Sequence, residues 1–189
     1  VLEEIYGYDN DEFLDYLTEK GFFVTSESRA NYLMTGLSLA SALNMRYLDD
    51  MLDSSESGHG MALRLWNNTR VVELLKKRGY SYVVLTSGIQ EESFGDADKH
   101  LKSHFAISAF VNELINTTPL GTLLPFIFSP YRMHRNSVLF VFEQLEDLSH
   151  LKSPKFVLAH IMVPHQPFVF SREGEPIDPD RPYTIWGPF

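Results

Sequence analysis

Two stretches of the chain are apolar at consecutive positions, not at alternate ones. They are Tyr82-Val83-Val84-Leu85 and residues 156–163, the latter interrupted only by His160. A strand with one wet face alternates apolar and polar residues. A strand that is apolar throughout must be covered on both faces, the usual condition of a parallel sheet flanked by helices. The segments around the two stretches are suited to supply those helices. Residues 11–20 place Phe13, Leu14 and Leu17 on one helical face. Residues 36–45 have helical composition. Residues 62–78 carry Leu63, Val71, Leu74 and Leu75, and close on Lys76, Lys77 and Arg78, which complement the negative end of the helix dipole. Gly21 and Gly79 stand where helix-ending glycines belong. Phe22-Phe23-Val24-Thr25 reads as a further short strand. Residues 103–148 read as mostly helical, broken by Pro119, Pro125 and Pro130, while 26–33, 54–60 and the proline-rich stretch beyond Pro164 read as loops. The expectation is a single α/β domain over residues 1–189, with the strands near 22–25, 82–85 and 156–163 in one mostly parallel sheet. Ligands of such sheets gather beyond the carboxyl ends of the strands, here the loops after Thr25, Leu85 and Val163.

Composition narrows the function classes. The net charge of -9 opposes a nucleic-acid partner, which requires a basic face. The absence of cysteine removes disulfides, thiolate metal sites and a cysteine nucleophile. No stretch approaches the roughly 18 apolar residues of a membrane span. Val1 in place of an initiating methionine suggests a piece of a longer protein.

Thr35 falls where a loop becomes a helix. A hydroxyl there either caps the helix or lies in the field of its unpaired N–H groups, where an anion is favoured. The second position suits a threonine nucleophile, provided a metal ion lowers its pKa. His165 follows the strand ending at Val163 and lies between Pro164 and Pro167. Two prolines stiffen its backbone, as a preorganised charge-stabilising group needs, although a turn histidine without a role reads equally well. His160 reads as a core histidine, and Ser87 as a strand-end turn residue. Met133, His134 and Arg135 read as an irregular segment, either an anion-binding group or, more in keeping with its composition, solvated surface. His100 and His104 have the i, i+4 spacing of a helical zinc pair but no third ligand.

The segment Asn31-Tyr32-Leu33-Met34-Thr35-Gly36-Leu37-Ser38-Leu39-Ala40-Ser41-Ala42-Leu43-Asn44 resembles the nucleophile loop and helix of the sulfatase-like branch of the alkaline phosphatase superfamily. Thr35 falls on the nucleophile, Ser38 on the motif serine and Ala40-Ser41 on the motif's Ala-Ser pair. Leu37 and Leu39 replace the proline and arginine of true sulfatases, and the threonine is similar to that of lipoteichoic acid synthase-like and phosphoethanolamine transferase-like members. Residues 154–168, with Pro164-His165-Gln166-Pro167-Phe168, are similar to the strand and loop these proteins set beside the active site.

The resemblance implies a three-layer, alkaline phosphatase-like α/β sandwich, incomplete at both ends. It implies a parent that is a metal-dependent phospho- or sulfo-ester hydrolase or transferase with a covalent Thr35 intermediate. Thr35 would also ligate a divalent ion, Zn or Mn, and His165 would bind the substrate oxyanion from the same pocket. Substrates of this class are phosphate or sulfate esters, a lipid head group or glycan among them. The parent is expected to be membrane-tethered and extracytoplasmic. The family's other metal ligands have no counterpart here, since the chain contains no Asp-His pair. The chain alone is therefore expected to bind no metal and to be catalytically silent. The alternative is a binding or scaffold domain that kept the fold and lost the metal site.

Overall fold

A computed structural model describes residues 4–5, 7–25, 27–51, 65–87, 94–103, 114, 117–119, 129–152 and 154–178. The expected loop at 54–60, the start of the helix expected at 62 and, within the helical stretch expected over 103–148, most of residues 103–128 lie outside them. The described elements are α1 (Asp11–Glu19), α2 (Thr35–Asn44), a 3-10 turn (Leu48–Asp50), α3 (Arg70–Lys76), β1 (Ser81–Thr86), β2 (Lys99–Lys102), α4 (Pro130–Ser149) and β3 (Lys155–His160). The three strands form an open parallel sheet in the order β2-β1-β3. The protein is an α/β fold.

β1 is the central strand, and every residue after Ser81 is buried, as its unbroken apolar run requires. On one face of the sheet Tyr82 and Val84 pack with Ala40 of α2 and Val72 of α3, joined by Trp66 and Phe94. On the other, Val83 and Leu85 pack with Val141 and Leu148 of α4. Alternation along β3 follows the same division: Phe156 and Leu158 meet the first cluster, Val157 and Ala159 the second.

Helix ends follow local chemistry. Gly21 and Gly79 adopt φ +85° and +81°. Behind Gly79, its own N–H donates to the Lys76 carbonyl at 2.9 Å and that of Tyr80 to the Leu75 carbonyl at 3.1 Å, a Schellman closure that delivers the chain directly into β1. Pro130 does not break a helix; it opens α4 at the first position, where its missing N–H costs nothing, and Ser129 Oγ accepts from the Arg132 N–H at 3.2 Å.

Three sequence expectations are corrected. Residues 22–25 are not a strand: Phe23 is 90% exposed, and the Phe22 N–H is spent on the Leu17 carbonyl at 3.0 Å, closing α1. A four-residue apolar run has no intrinsic hold on strand geometry without a neighbour to pair with. The third strand is instead Lys99-His100-Leu101-Lys102, pairing Val83↔Lys99 through Thr86↔Lys102. Its two lysines suit a sheet edge. His100 is thus on a strand and not on a helix, while His104 lies outside the described residues. The helix expected from 62 begins only at Arg70 among the described residues. Asn68 sits at φ 54°, its N–H held by Asp96 Oδ2 at 2.9 Å, while Asn67 Oδ1 accepts from the Gly95 N–H at 2.6 Å. Tertiary bonds override the helical composition of this stretch.

Arg135 is not solvated. It is 8% exposed on α4, and its Nη1 donates to the carbonyls of Val169 and Ile177 at 3.2 and 3.0 Å and to Asp178 Oδ1 at 3.0 Å. It ties the turn of residues 169–178, itself closed by Ile177 N–H to the Val169 carbonyl at 3.2 Å, onto the helix. Arg135→Met is expected to cost about 2–3 kcal/mol, because the Ile177 carbonyl and the Asp178 carboxylate lose this donor and the Val169 carbonyl keeps only the Ile177 N–H. Urea unfolding checks the stability, and limited proteolysis should cut first within 169–178. An unchanged midpoint would show that the tie contributes nothing.

Candidate functional site

The carboxyl ends of β1 and β3 lie side by side, with Thr86 paired to His160. One residue beyond β1, Ser87 is 2% exposed; its N–H donates to the His160 carbonyl at 3.1 Å. Its Oγ accepts from the Met162 N–H at 2.8 Å. The hydroxyl therefore holds the chain just after β3 leaves the sheet, five residues before the segment reaches Pro167. From the opposite face, His134 in the first turns of α4 hydrogen-bonds the Met162 backbone, in the sense that favours a protonated ring, so the ring N–H donates. The segment then passes through cis peptides before Pro164 and Pro167 and presents His165 to solvent, its Nδ1 2.6 Å from the Gln166 carbonyl.

Three imidazoles thus gather at this end of the sheet. Burial holds His160 below the ordinary histidine range, and the nearby His165 adds to the effect. Burial likewise lowers His134, partly offset by its bond to Met162 and reinforced by His165. Away from the cluster, burial and then Lys102 lower His100. The buried Thr86 hydroxyl has no hydrogen-bond partner among the described residues.

These shifts fix a pH dependence. A histidine whose folded pKa lies below its unfolded value of about 6.5 binds fewer protons when folded. Its contribution is complete above that value and is lost as pH falls through the folded pKa. The urea midpoint is expected to fall between pH 7.5 and pH 5, and His160→Gln to flatten that slope. A midpoint that rises on acidification would reverse the assignment.

Thr35 is the first residue of α2, and the cap position belongs to Met34, in extended conformation with no side-chain bond. The Thr35 side chain is exposed and makes no hydrogen bond to a described residue. Two contacts fix the helix behind it. Trp66 Nε1 donates to the Gly36 carbonyl at 2.7 Å. Buried Ser41 accepts from Asn31 Nδ2 at 2.8 Å and donates to the Arg46 carbonyl at 2.6 Å. No hydrogen bond joins Thr35 to His165. Among the described residues, no group of three or more His, Asp or Glu side chains could hold a metal ion. No described helix is long and apolar enough to cross a membrane.

The sequence directed attention to the strand ends, and Ser87, His160 and His165 are there. It did not reveal that His134 belongs with them, because nothing local to α4 signals a partner in the segment after β3. No protein-family model matches the chain, and no curated protein or solved structure matches it either.

Proposed function

We propose that this chain is part of a metal-dependent phospho- or sulfo-ester hydrolase or transferase of the sulfatase-like type, with a three-layer, alkaline phosphatase-like fold. Thr35 is its nucleophile and His165 its oxyanion-binding group. The observation that carries the reading is the Thr35 hydroxyl, exposed at the head of a ten-residue helix and bonded to no described residue. A capping threonine would have its oxygen occupied by a backbone N–H. This one is left available beside the positive end of the helix.

The covalent step forms a bond from Thr35 Oγ to phosphorus or sulfur as the bond to the leaving oxygen breaks. The hydroxyl proton leaves with a base, and the leaving oxygen takes a proton. Water or an acceptor hydroxyl then attacks the same centre, and Thr35 Oγ departs. His165 donates a hydrogen bond to the oxygens on which charge grows. The metal of this reading, Zn or Mn, requires three or more ligands. Thr35 alone does not meet that requirement, and the described residues do not fit the ion. No step above is therefore routed through it. Phosphate or sulfate esters, with a lipid head group or glycan as the alcohol, are the substrate class, and a membrane-tethered, extracytoplasmic parent is the setting.

The test is to incubate the intact parent with a chromogenic phosphodiester or sulfate ester and look for a modified Thr35 peptide by mass spectrometry. His165→Ala should lower turnover by on the order of 10²-fold without unfolding the protein. Turnover unaffected by His165→Ala would remove that residue from the site. A parent with neither turnover nor a modified peptide would leave a binding or scaffold domain as the better description.

A further inference from the structure

Met162 lies between the last residue of β3 and His165, and both of its backbone polar groups are taken by side chains from other elements. Its N–H donates to Ser87 Oγ at 2.8 Å, and its carbonyl accepts from the His134 ring. The two holding groups approach from different parts of the fold. Ser87 follows the central strand, 75 residues earlier in the chain, and is 2% exposed. His134 projects from α4, whose Val141 and Leu148 pack on the sheet face opposite α2. A peptide outside regular structure ordinarily satisfies these groups with water, and so can rotate. Here the peptide units on both sides of the Met162 Cα are each held by a side chain, three residues before His165.

We propose that Ser87 and His134 are positioning residues that clamp the backbone at Met162 and so fix where His165 stands at the carboxyl edge of the sheet. The inference rests on the reading of His165 as the oxyanion-binding group, and it extends that reading to two residues that touch no reacting atom. A group that stabilises developing charge acts only if it is already in place, so loosening its backbone removes part of its effect. Among the described residues, the His165 side chain has no hydrogen bond apart from that to the neighbouring Gln166 carbonyl.

The placement of His165 can be read in this chain without activity. His165 lowers the titration midpoint of His160 by like-charge proximity. By NMR, His165→Gln should raise that midpoint, which sets the full scale. Ser87→Ala and His134→Ala should each raise it part of the way, as His165 drifts off. His134→Gln, whose amide can still donate to the Met162 carbonyl, should return it towards the parent value. Midpoints of His160 unmoved by both alanine variants would overturn the clamp. In the intact parent, Ser87→Ala and His134→Ala should lower kcat by about 10-fold to 10²-fold with KM little changed. Combined with His165→Ala, neither should lower it further, because each acts through the residue already removed. Losses that multiply would overturn the positioning role. Full turnover in Thr35→Ala would end the proposed chemistry separately, leaving the NMR result to decide the clamp.

Discussion

Thr35→Ala in the intact parent is expected to lower turnover of a phosphodiester or sulfate ester by on the order of 10⁴-fold or more, the scale on which removal of a nucleophile acts. The size follows from the lack of a substitute. Ser38 is one turn further along α2, half-buried, and its N–H is engaged with the Met34 carbonyl at 2.9 Å. Reaching the same centre from there would require the helix to advance by about 5 Å. Thr35→Ser retains the hydroxyl and should retain measurable turnover, which separates loss of the nucleophile from loss of the helix start. Neither change should alter the fold, since the side chain is exposed and bonds to no described residue. Single-turnover kinetics with a chromogenic ester, with circular dichroism as the check on folding, gives the answer. Thr35→Ala within tenfold of the parent would return Thr35 to an ordinary first-turn residue.

How far the sequence was legible depends on where each determinant lies. β1 and β3 were visible because a strand buried on both faces must be apolar at every position, and little else in a short segment looks like that. α2 was visible from composition, and its start at Thr35 from the loop before it. β2 was not, because Lys99-His100-Leu101-Lys102 has the composition of a solvated surface; it is a strand only because β1 offers it an edge. Residues 22–25 failed for the converse reason, being strand-like in composition with no strand beside them among the described residues. At the site, the strand-end rule located Ser87 and His165, but the clamp on Met162 depends on partners far apart in the chain. Arg135 was misread for the same reason. Its acceptors at 169, 177 and 178 lie more than thirty residues away, and an arginine next to a histidine and a methionine looks like surface until they are placed.

Trp66→Ala is expected to destabilise the fold by about 3–5 kcal/mol, the range for truncating a buried tryptophan. Trp66 is 1% exposed and lies in the cluster that joins Ala40 and Val72 to Tyr82 and Val84 of β1, so the lost volume would open between helices and sheet. Its ring is stacked on Phe94, with centroids 5.1 Å apart and planes 14° from parallel, and Phe94 would lose its neighbour as well. Trp66→Phe separates the polar part from the packing. It keeps a ring against Phe94 but loses the second ring's volume and the indole N–H that donates to the Gly36 carbonyl, at a smaller cost of about 1–2 kcal/mol. That bond holds the peptide next to Thr35, so the smaller stability change should come with a functional one. In the intact parent, Trp66→Phe should lower kcat by about 10-fold, because the first turn of α2 is freer to move and the hydroxyl is less often in line. Urea unfolding of both variants measures the packing term, and kinetics of Trp66→Phe measures the placement of Thr35. A cost below about 1 kcal/mol for Trp66→Ala would mean that this cluster does not hold α2 to the sheet. Unchanged kcat in Trp66→Phe would mean that the first turn is fixed from the far end of the helix, by Ser41 and by Asn44, whose Nδ2 donates to the Leu65 carbonyl at 2.9 Å.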